Sequence, residues 1–243
     1  SWLDFEFDVK DLLYFRIDRK KKILVSTLLQ ALGYSKDDIV NEFYEKEDCF
    51  YSKDLKKWKT KFNPENFKTK NFTNEIIDAK TNKVVIKHGD KVNFLQAKKL
   101  HNDGLKEIYV STDYLKNKYL HKDIKIGEET LQIGTELNET LLDKIIEANF
   151  DKITISKTNS INKGPYILQT VLNDKNNNKN DAISEIYKVL IPGEPPTIEI
   201  ANQIFNNLFF SSDRYDLSDV GRVKMNSRLD LTCSDKITIL RND

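Results

Sequence analysis

Apolar and polar positions alternate at the start of the chain, where Trp2, Leu3, Phe5 and Phe7 are interleaved with Asp4, Glu6 and Asp8. A second run follows at Leu12-Leu13-Tyr14-Phe15-Arg16-Ile17. A period near two with aromatic residues predicts strands, here an antiparallel pair joined around Val9-Lys10-Asp11. From Val25 the period lengthens, and Leu28, Leu29 and Leu32 share one face of a short helix that Gly33 can terminate. Ser35, with Asp38 three residues on, predicts an N-cap and a helix through Ile39, Val40 and Phe43.

Between residues 44 and 163 short apolar runs alternate with Lys, Asn and Asp, and the pattern repeats at an offset of 45 residues. Gly89 matches Gly134, Asn93 matches Asn138, Leu100 matches Ile145, Ile108 matches Ile153, Val110 matches Ile155 and Ser111 matches Ser156. Each copy reads strand, glycine turn, helix, strand, with the asparagine where a helix needs a cap. Two copies of a unit that cannot bury its apolar face alone predict a pseudo-symmetric subdomain.

After Gly164-Pro165 the run Tyr166-Ile167-Leu168-Gln169-Thr170-Val171-Leu172 reads as β, and the polar stretch 173–181 reads as an exposed loop. Residues 182–190 fit a strand or a short helix. Pro192-Gly193-Glu194-Pro195-Pro196 is a stiff connection, after which Thr197 caps a helix striped by Ile198, Ala201, Ile204, Phe205 and Leu208. The expected fold class is α+β: a mixed domain formed by residues 1–43 and 164–243, interrupted by an inserted α+β subdomain, 44–163.

The length of 243 residues, 39% hydrophobic, is enough for one large domain or two small ones. Lys+Arg 39 against Asp+Glu 38 leaves a net charge of +1, so distribution rather than total decides where an anion would bind. Residues 16–22 hold five cations and one carboxylate, and residues 53–70 hold seven and two; either set is also compatible with an ordinary solvated face. Cys49 and Cys233 are far apart and suggest neither a disulfide framework nor a zinc site, which fits a reducing cytoplasm. No apolar run approaches a membrane span, the acidic start is unlike a signal peptide, and the absence of an initial Met is consistent with an internal piece of a longer polypeptide.

Signs of catalysis are few. His88, His101 and His121 lack the spacing or companions of a metal site, and neither glycine turn carries the lysine and hydroxyl residue of a phosphate loop. Asp213, Asp216 and Asp219 alternate with Arg214 and Arg222, which favours internal pairing and capping over a metal. Trp2 has two readings: a packed core or edge ring, or a platform for an unstacked base, with Asp18 able to accept a hydrogen bond from the base edge. Arg19, Lys20, Lys21, Arg214, Arg222, Lys224 and Arg228 suit phosphate contacts that position nucleic acid without reading sequence; for Arg214 and Arg222, pairing with the nearby aspartates is the competing role.

The apolar helix end Asn207-Leu208-Phe209-Phe210, the turn Asp213-Arg214-Tyr215-Asp216-Leu217-Ser218, then Val220-Gly221-Arg222, Lys224 and Asn226, together with Gly164-Pro165-Tyr166, Pro192-Gly193-Glu194-Pro195-Pro196 and the opening Ser1-Trp2-Leu3-Asp4-Phe5-Glu6-Phe7-Asp8, form a specific set. It resembles the beta subunit of bacterial RNA polymerase in the region called its lobe, with residues 44–163 similar to an insertion found there in some lineages. The resemblance implies a non-catalytic part of a nucleotidyltransferase, DNA-directed RNA polymerase. That part would line the downstream DNA cleft and meet the non-template strand and sigma factor, with Trp2 and Asp18 at positions of a base pocket. It further implies alpha, beta-prime and omega subunits as partners, magnesium held by beta-prime and no cofactor in this piece, and a cytoplasmic, nucleoid-associated location. The insertion would offer a surface for regulators; the alternative function is a protein-interaction scaffold built on it. Residues 229–243 look shortened against the family and are expected to be a disordered edge.

Overall fold

A computed structural model describes residues 2–67, 74–159 and 161–241. The chain divides into two compact units, one made of Ser1–Ile39 and Asn173–Asp243, the other of Val40–Leu172. Lys68 and Lys70 of the basic segment 53–70 lie outside the described residues, as do Asn242 and Asp243.

The first leg opens with the expected hairpin, β1 (Leu3–Phe7) against β2 (Leu13–Ile17), in a register that sets Leu3 opposite Ile17 and Phe7 opposite Leu13. The Asp8 carboxylate closes its turn by accepting the Lys10 and Leu12 amides at 2.9 and 3.0 Å, an arrangement that short acidic side chains favour. A short β3 (Ile23–Leu24) pairs with β2 and leads into α1 (Val25–Ala31). Gly33 follows at φ +106, a left-handed conformation that stops the helix. In α2 (Lys36–Phe43), Ser35 Oγ accepts the Asp38 amide at 3.1 Å while Asp38 accepts the Ser35 amide at 2.9 Å. The Ser35 amide, then the Ser35 hydroxyl, hold the Asp38 carboxyl below its ordinary pKa, as expected of a reciprocal cap.

In the second unit, β4 (Lys46–Ser52) and β5 (Lys57–Lys61) form a central antiparallel hairpin. Then come β6 (Ile76–Asp78), β7 (Val84–Ile86), α3 (Phe94–Asn102), β8 (Glu107–Val110), β9 (Tyr119–Leu120), β10 (Ile124–Ile126), β11 (Glu129–Leu131), α4 (Glu139–Glu147) and β12 (Lys152–Ser156). The sheet order is β7-β6-β8-β5-β4-β12-β9, so β8 and β12 flank the central hairpin on opposite sides, and β10 and β11 pair separately. Asn93 and Asn138 accept the Gln96 and Leu141 amides at 2.9 Å at the starts of α3 and α4. One face of the sheet, carrying Cys49, Trp58, Ile108, Val110, Ile153 and Ile155, shares a buried core with Ala97, Leu142 and Ile145 from the helices.

Gly89 and Gly134 both take φ +86, yet their surroundings differ. A Cβ at Gly134 would stand 2.3 Å from the Leu168 carbonyl oxygen, whereas one at Gly89 would meet nothing within 4 Å. Both alanine variants carry left-handed strain of about 1–2 kcal/mol. Gly134→Ala adds a collision with backbone and is expected to cost roughly 2 kcal/mol more, a difference that paired urea titrations measure.

The β reading of residues 166–172 is corrected: they form α5 (Tyr166–Asn173). Ile167, Leu168 and Val171 are buried on one side of that helix, and Tyr44 fixes its start by donating to the Gly164 carbonyl at 2.8 Å and accepting the Ile167 amide at 3.2 Å.

The returning leg is helical, with α6 (Lys179–Leu190), α7 (Ile198–Phe209) and α8 (Asp219–Leu229). Thr197 caps α7 as expected, and Ala201, Phe205 and Leu208 are buried, although Ile198 at the head of the stripe is exposed. Phe15, Ile17 and Ile23 of the small sheet share one core with Leu28, Ile183, Ile186, Phe205 and Phe209. Residues 173–181 are not an exposed loop throughout. Asp174 and Asn176 are buried, because the Asp174 carboxylate gathers Ser26, Thr27 and Gln30 of α1 together with Asn176. The mixed α+β class holds for the whole chain.

Candidate nucleic-acid interface

Trp2 and Asp18 end the two paired strands, and the register brings them face to face. The Trp2 amide donates to Asp18 Oδ1 at 2.7 Å and the Asp18 amide donates to the Trp2 carbonyl at 3.0 Å. The indole is 76% exposed, so it is not the packed ring of the alternative reading. Asp18 and Arg19 both take positive φ, 50 and 60, and the Lys20 amide closes the turn on the Ile17 carbonyl at 3.0 Å. One carboxylate oxygen of Asp18 is therefore engaged in holding the strand end, which leaves Oδ2 as its outward acceptor.

The basic run 16–22 is sorted by its contacts. Arg16 donates to Glu6 Oε1 through Nε at 3.1 Å and Nη2 at 2.8 Å, and to the Lys20 carbonyl through Nη1 at 3.2 Å. Lys20 reaches the Leu190 carbonyl at the C-terminus of α6, 2.5 Å away, where a cation complements the helix dipole. Lys22 lies over the Tyr14 ring at 4.3 Å. Arg19 and Lys21 remain exposed with no side-chain partner among the described residues.

Of the later cations, Arg214 projects from the turn at the surface, and Lys224 is exposed on α8. Tyr215 beside Arg214 packs edge-on against Phe209, ring centroids 5.5 Å apart, which anchors the turn and leaves Arg214 outside. Arg222 is corrected. It is only 2% exposed, and its guanidinium donates to the Ile237 carbonyl at 2.6 Å and to the Ile239 carbonyl. It neither faces phosphate nor pairs with Asp213, Asp216 or Asp219; it holds the segment 231–241 against α8. Asn226, one turn on, does the same by donating to the Cys233 carbonyl at 2.7 Å. The expected disordered edge is thus docked over its described residues. The pair Arg222 and Asn226 carries the signal the sequence reading missed: two hydrogen-bonding side chains four apart on a helix with little apolar character.

The histidines occupy unlike surroundings. His121 is buried between Ser156 Oγ at 2.7 Å and Asn41 Oδ1 at 2.8 Å, His88 is exposed, and His101 stacks on Phe62. Among the described residues no cluster of three His, Cys, Asp or Glu side chains is placed to hold a metal, and no helix is long and apolar enough to cross a membrane.

The family described as RNA polymerase Rpb2, domain 2, matches residues 1–155 and 150–241. The chain belongs to this family. Among the relatives of this Rpb2 domain 2 chain, the DNA-directed RNA polymerase subunit beta of Rhizobium leguminosarum bv. trifolii is 46% identical over 246 aligned residues. The subunits of Rhizobium etli and Rickettsia felis are 45% and 41% identical. Each match takes in the whole of this chain and 18% of the relative, so the domain 2 chain spans less than a fifth of those subunits. The middle unit lies within the matched span, and these relatives align along it as well.

Proposed function

We propose that this chain is the lobe of a bacterial RNA polymerase beta subunit, lining the downstream DNA cleft and touching the non-template strand and sigma factor. Residues 1–43 and 164–243 form the lobe in this reading, and residues 44–163 form an inserted subdomain open to regulators. The parent enzyme joins nucleoside triphosphates on a DNA template, with alpha, beta-prime and omega subunits as partners and magnesium on beta-prime; this piece contributes no catalytic group. The observation that carries the proposal is the exposed Trp2 ring pinned through its backbone to Asp18. An exposed indole on a pinned backbone, with an outward carboxylate oxygen beside it, can stack a flipped base and accept from its edge. Arg19, Lys21, Arg214 and Lys224, all exposed, are the cations free to meet phosphates. Lys20 plays a supporting role here, keeping the turn against α6.

In a polymerase reconstituted with Trp2→Ala, open complexes on a forked promoter are expected to dissociate about tenfold faster, the loss of one base–aromatic stack. Promoter complexes with unaltered lifetimes would remove the base-platform role.

A further inference from the structure

We propose that the face of the large sheet opposite α3 and α4 in the second unit is a separate binding surface for single-stranded nucleic acid, with Phe50 and Tyr109 as stacking rings. The helices α3 and α4 pack on the face bearing Cys49, Trp58, Ile108 and Ile153; on the opposite face Thr154 and Ser156 are buried at the β12 end, and the surface is open around Phe50. Alternation sends Phe50, Lys59, Tyr109 and Lys152 to the other side, and the strand registers align them. Tyr109 is opposite Lys59, Lys59 is opposite Phe50, and Phe50 is opposite Lys152. A row therefore crosses four strands in the order aromatic, cation, aromatic, cation. With strands about 4.8 Å apart, the two rings stand roughly 10 Å from each other.

Phe50 is 42% exposed, unusual for a phenylalanine in the middle of a sheet. The Lys59 and Lys152 ammonium groups lie 6.0 and 5.4 Å from its ring centroid, so the ring already attracts cations and gathers them at one spot. Lys46 and Lys61 extend the positive field along β4 and β5, and neither has an ion pair among the described residues. The carboxylates paired with lysines of this face are Asp48 with Lys152 at 3.2 Å, Glu107 with Lys59 at 3.9 Å and Glu75 with Lys57 at 3.3 Å. Such solvent-exposed pairs are weak and exchange readily for a phosphate. A nucleotide satisfies both halves of the surface at once: its base takes the ring and its phosphate takes the ammonium groups. Open sheets with exposed aromatics and flanking lysines bind single strands in this way. An acidic peptide would use the lysines and leave the rings without a function, which is why the nucleic acid is favoured.

The test is fluorescence anisotropy of labelled oligo(dT) and oligo(U), each about 12 nucleotides. The 243-residue chain would carry Trp2→Ala with Arg19, Lys21, Arg214 and Lys224 each replaced by Gln, so that the candidate contacts of the first unit do not contribute. Binding is expected for both oligomers, weakened about tenfold by Phe50→Ala. Lys46→Gln with Lys61→Gln should flatten the slope of log affinity against log salt by about 1.4. Phe50→Trp keeps a stacking ring, and its emission should fall on addition of oligo(dT), a readout that stands even if Phe50→Ala folds poorly. Absence of binding, binding indifferent to Phe50→Ala, or an unquenched Trp at position 50 would overturn the proposal. So would polyglutamate binding that matches the oligomers and ignores Phe50, which would make the face an acidic-peptide site.

Discussion

Asp174→Ala is expected to destabilise the unit formed by residues 1–39 and 173–243 by about 4 kcal/mol. Asp174 is 4% exposed. Its Oδ2 accepts Ser26 Oγ at 2.5 Å, Thr27 Oγ1 at 2.9 Å and Gln30 Nε2 at 3.1 Å, and its Oδ1 accepts the Asn176 amide at 2.9 Å and Nδ2 at 3.0 Å. Removing the carboxylate leaves these donors buried, and each stranded donor costs about 1–3 kcal/mol before water or relaxation recovers part of it. Asp174→Asn should recover part of the loss: with Oδ1 serving the Asn176 donors, its amide nitrogen can donate to the Ser26 and Thr27 hydroxyls, which also accept, while Gln30 Nε2 loses its acceptor. Urea unfolding followed by far-UV circular dichroism checks this. In a Trp2→Phe background, emission from Trp58, buried in the other unit, serves as an internal reference whose midpoint should not move. A shift below 1 kcal/mol would mean that water already shares the site.

What the sequence made legible follows from how local each determinant is. The hairpin of residues 3–17 was readable because alternation and turn lie within fifteen residues, and the caps at Ser35, Asn93, Asn138 and Thr197 because a cap needs only its own first turn. The helix at Tyr166–Asn173 was misread because Ile167-Leu168 and Val171-Leu172 form adjacent apolar pairs that resemble a buried strand, although their spacing of four is helical. Asp174 looked like a loop residue because its partners lie 144 to 148 positions earlier. In the candidate site, the meeting of Trp2 with Asp18 was implicit in the strand pairing. The fates of Lys20 and Arg222 were not, since each is decided by backbone carbonyls contributed from elsewhere in the chain. A cation's sequence neighbours show which carboxylates it can reach locally, but they do not show which carbonyls tertiary structure leaves unpaired.

That distinction gives Arg222→Met its expected outcome: release of the segment 231–241 with most of the unit still folded. The guanidinium donates from Nε to the Ile237 carbonyl and from Nη2 to the Ile239 carbonyl, a forked geometry that no other side chain reproduces. Hydrogen bonds to a charged donor contribute about 1.5–3 kcal/mol each, so a loss near 3 kcal/mol is expected locally. The loss cannot exceed the free energy of docking the segment, because once the segment lifts away its carbonyls are hydrated. Arg222→Lys should fall between the two, one ammonium being able to serve one carbonyl well and the other poorly. Limited trypsin digestion should cut Arg222→Met faster at Lys236 and Arg241. Amide exchange should rise at Leu217 and Leu240, whose N–H groups bond to the Thr238 and Phe209 carbonyls at 2.7 and 2.9 Å. Wild-type digestion and exchange rates in the variant would mean that Asn226 and these two backbone bonds hold the segment without the arginine. If instead the segment loosens while Asp174 and the α1 contacts stay protected, Arg222 acts as a local clasp, and the phosphate-facing work of this end of the chain is left to Arg214 and Lys224.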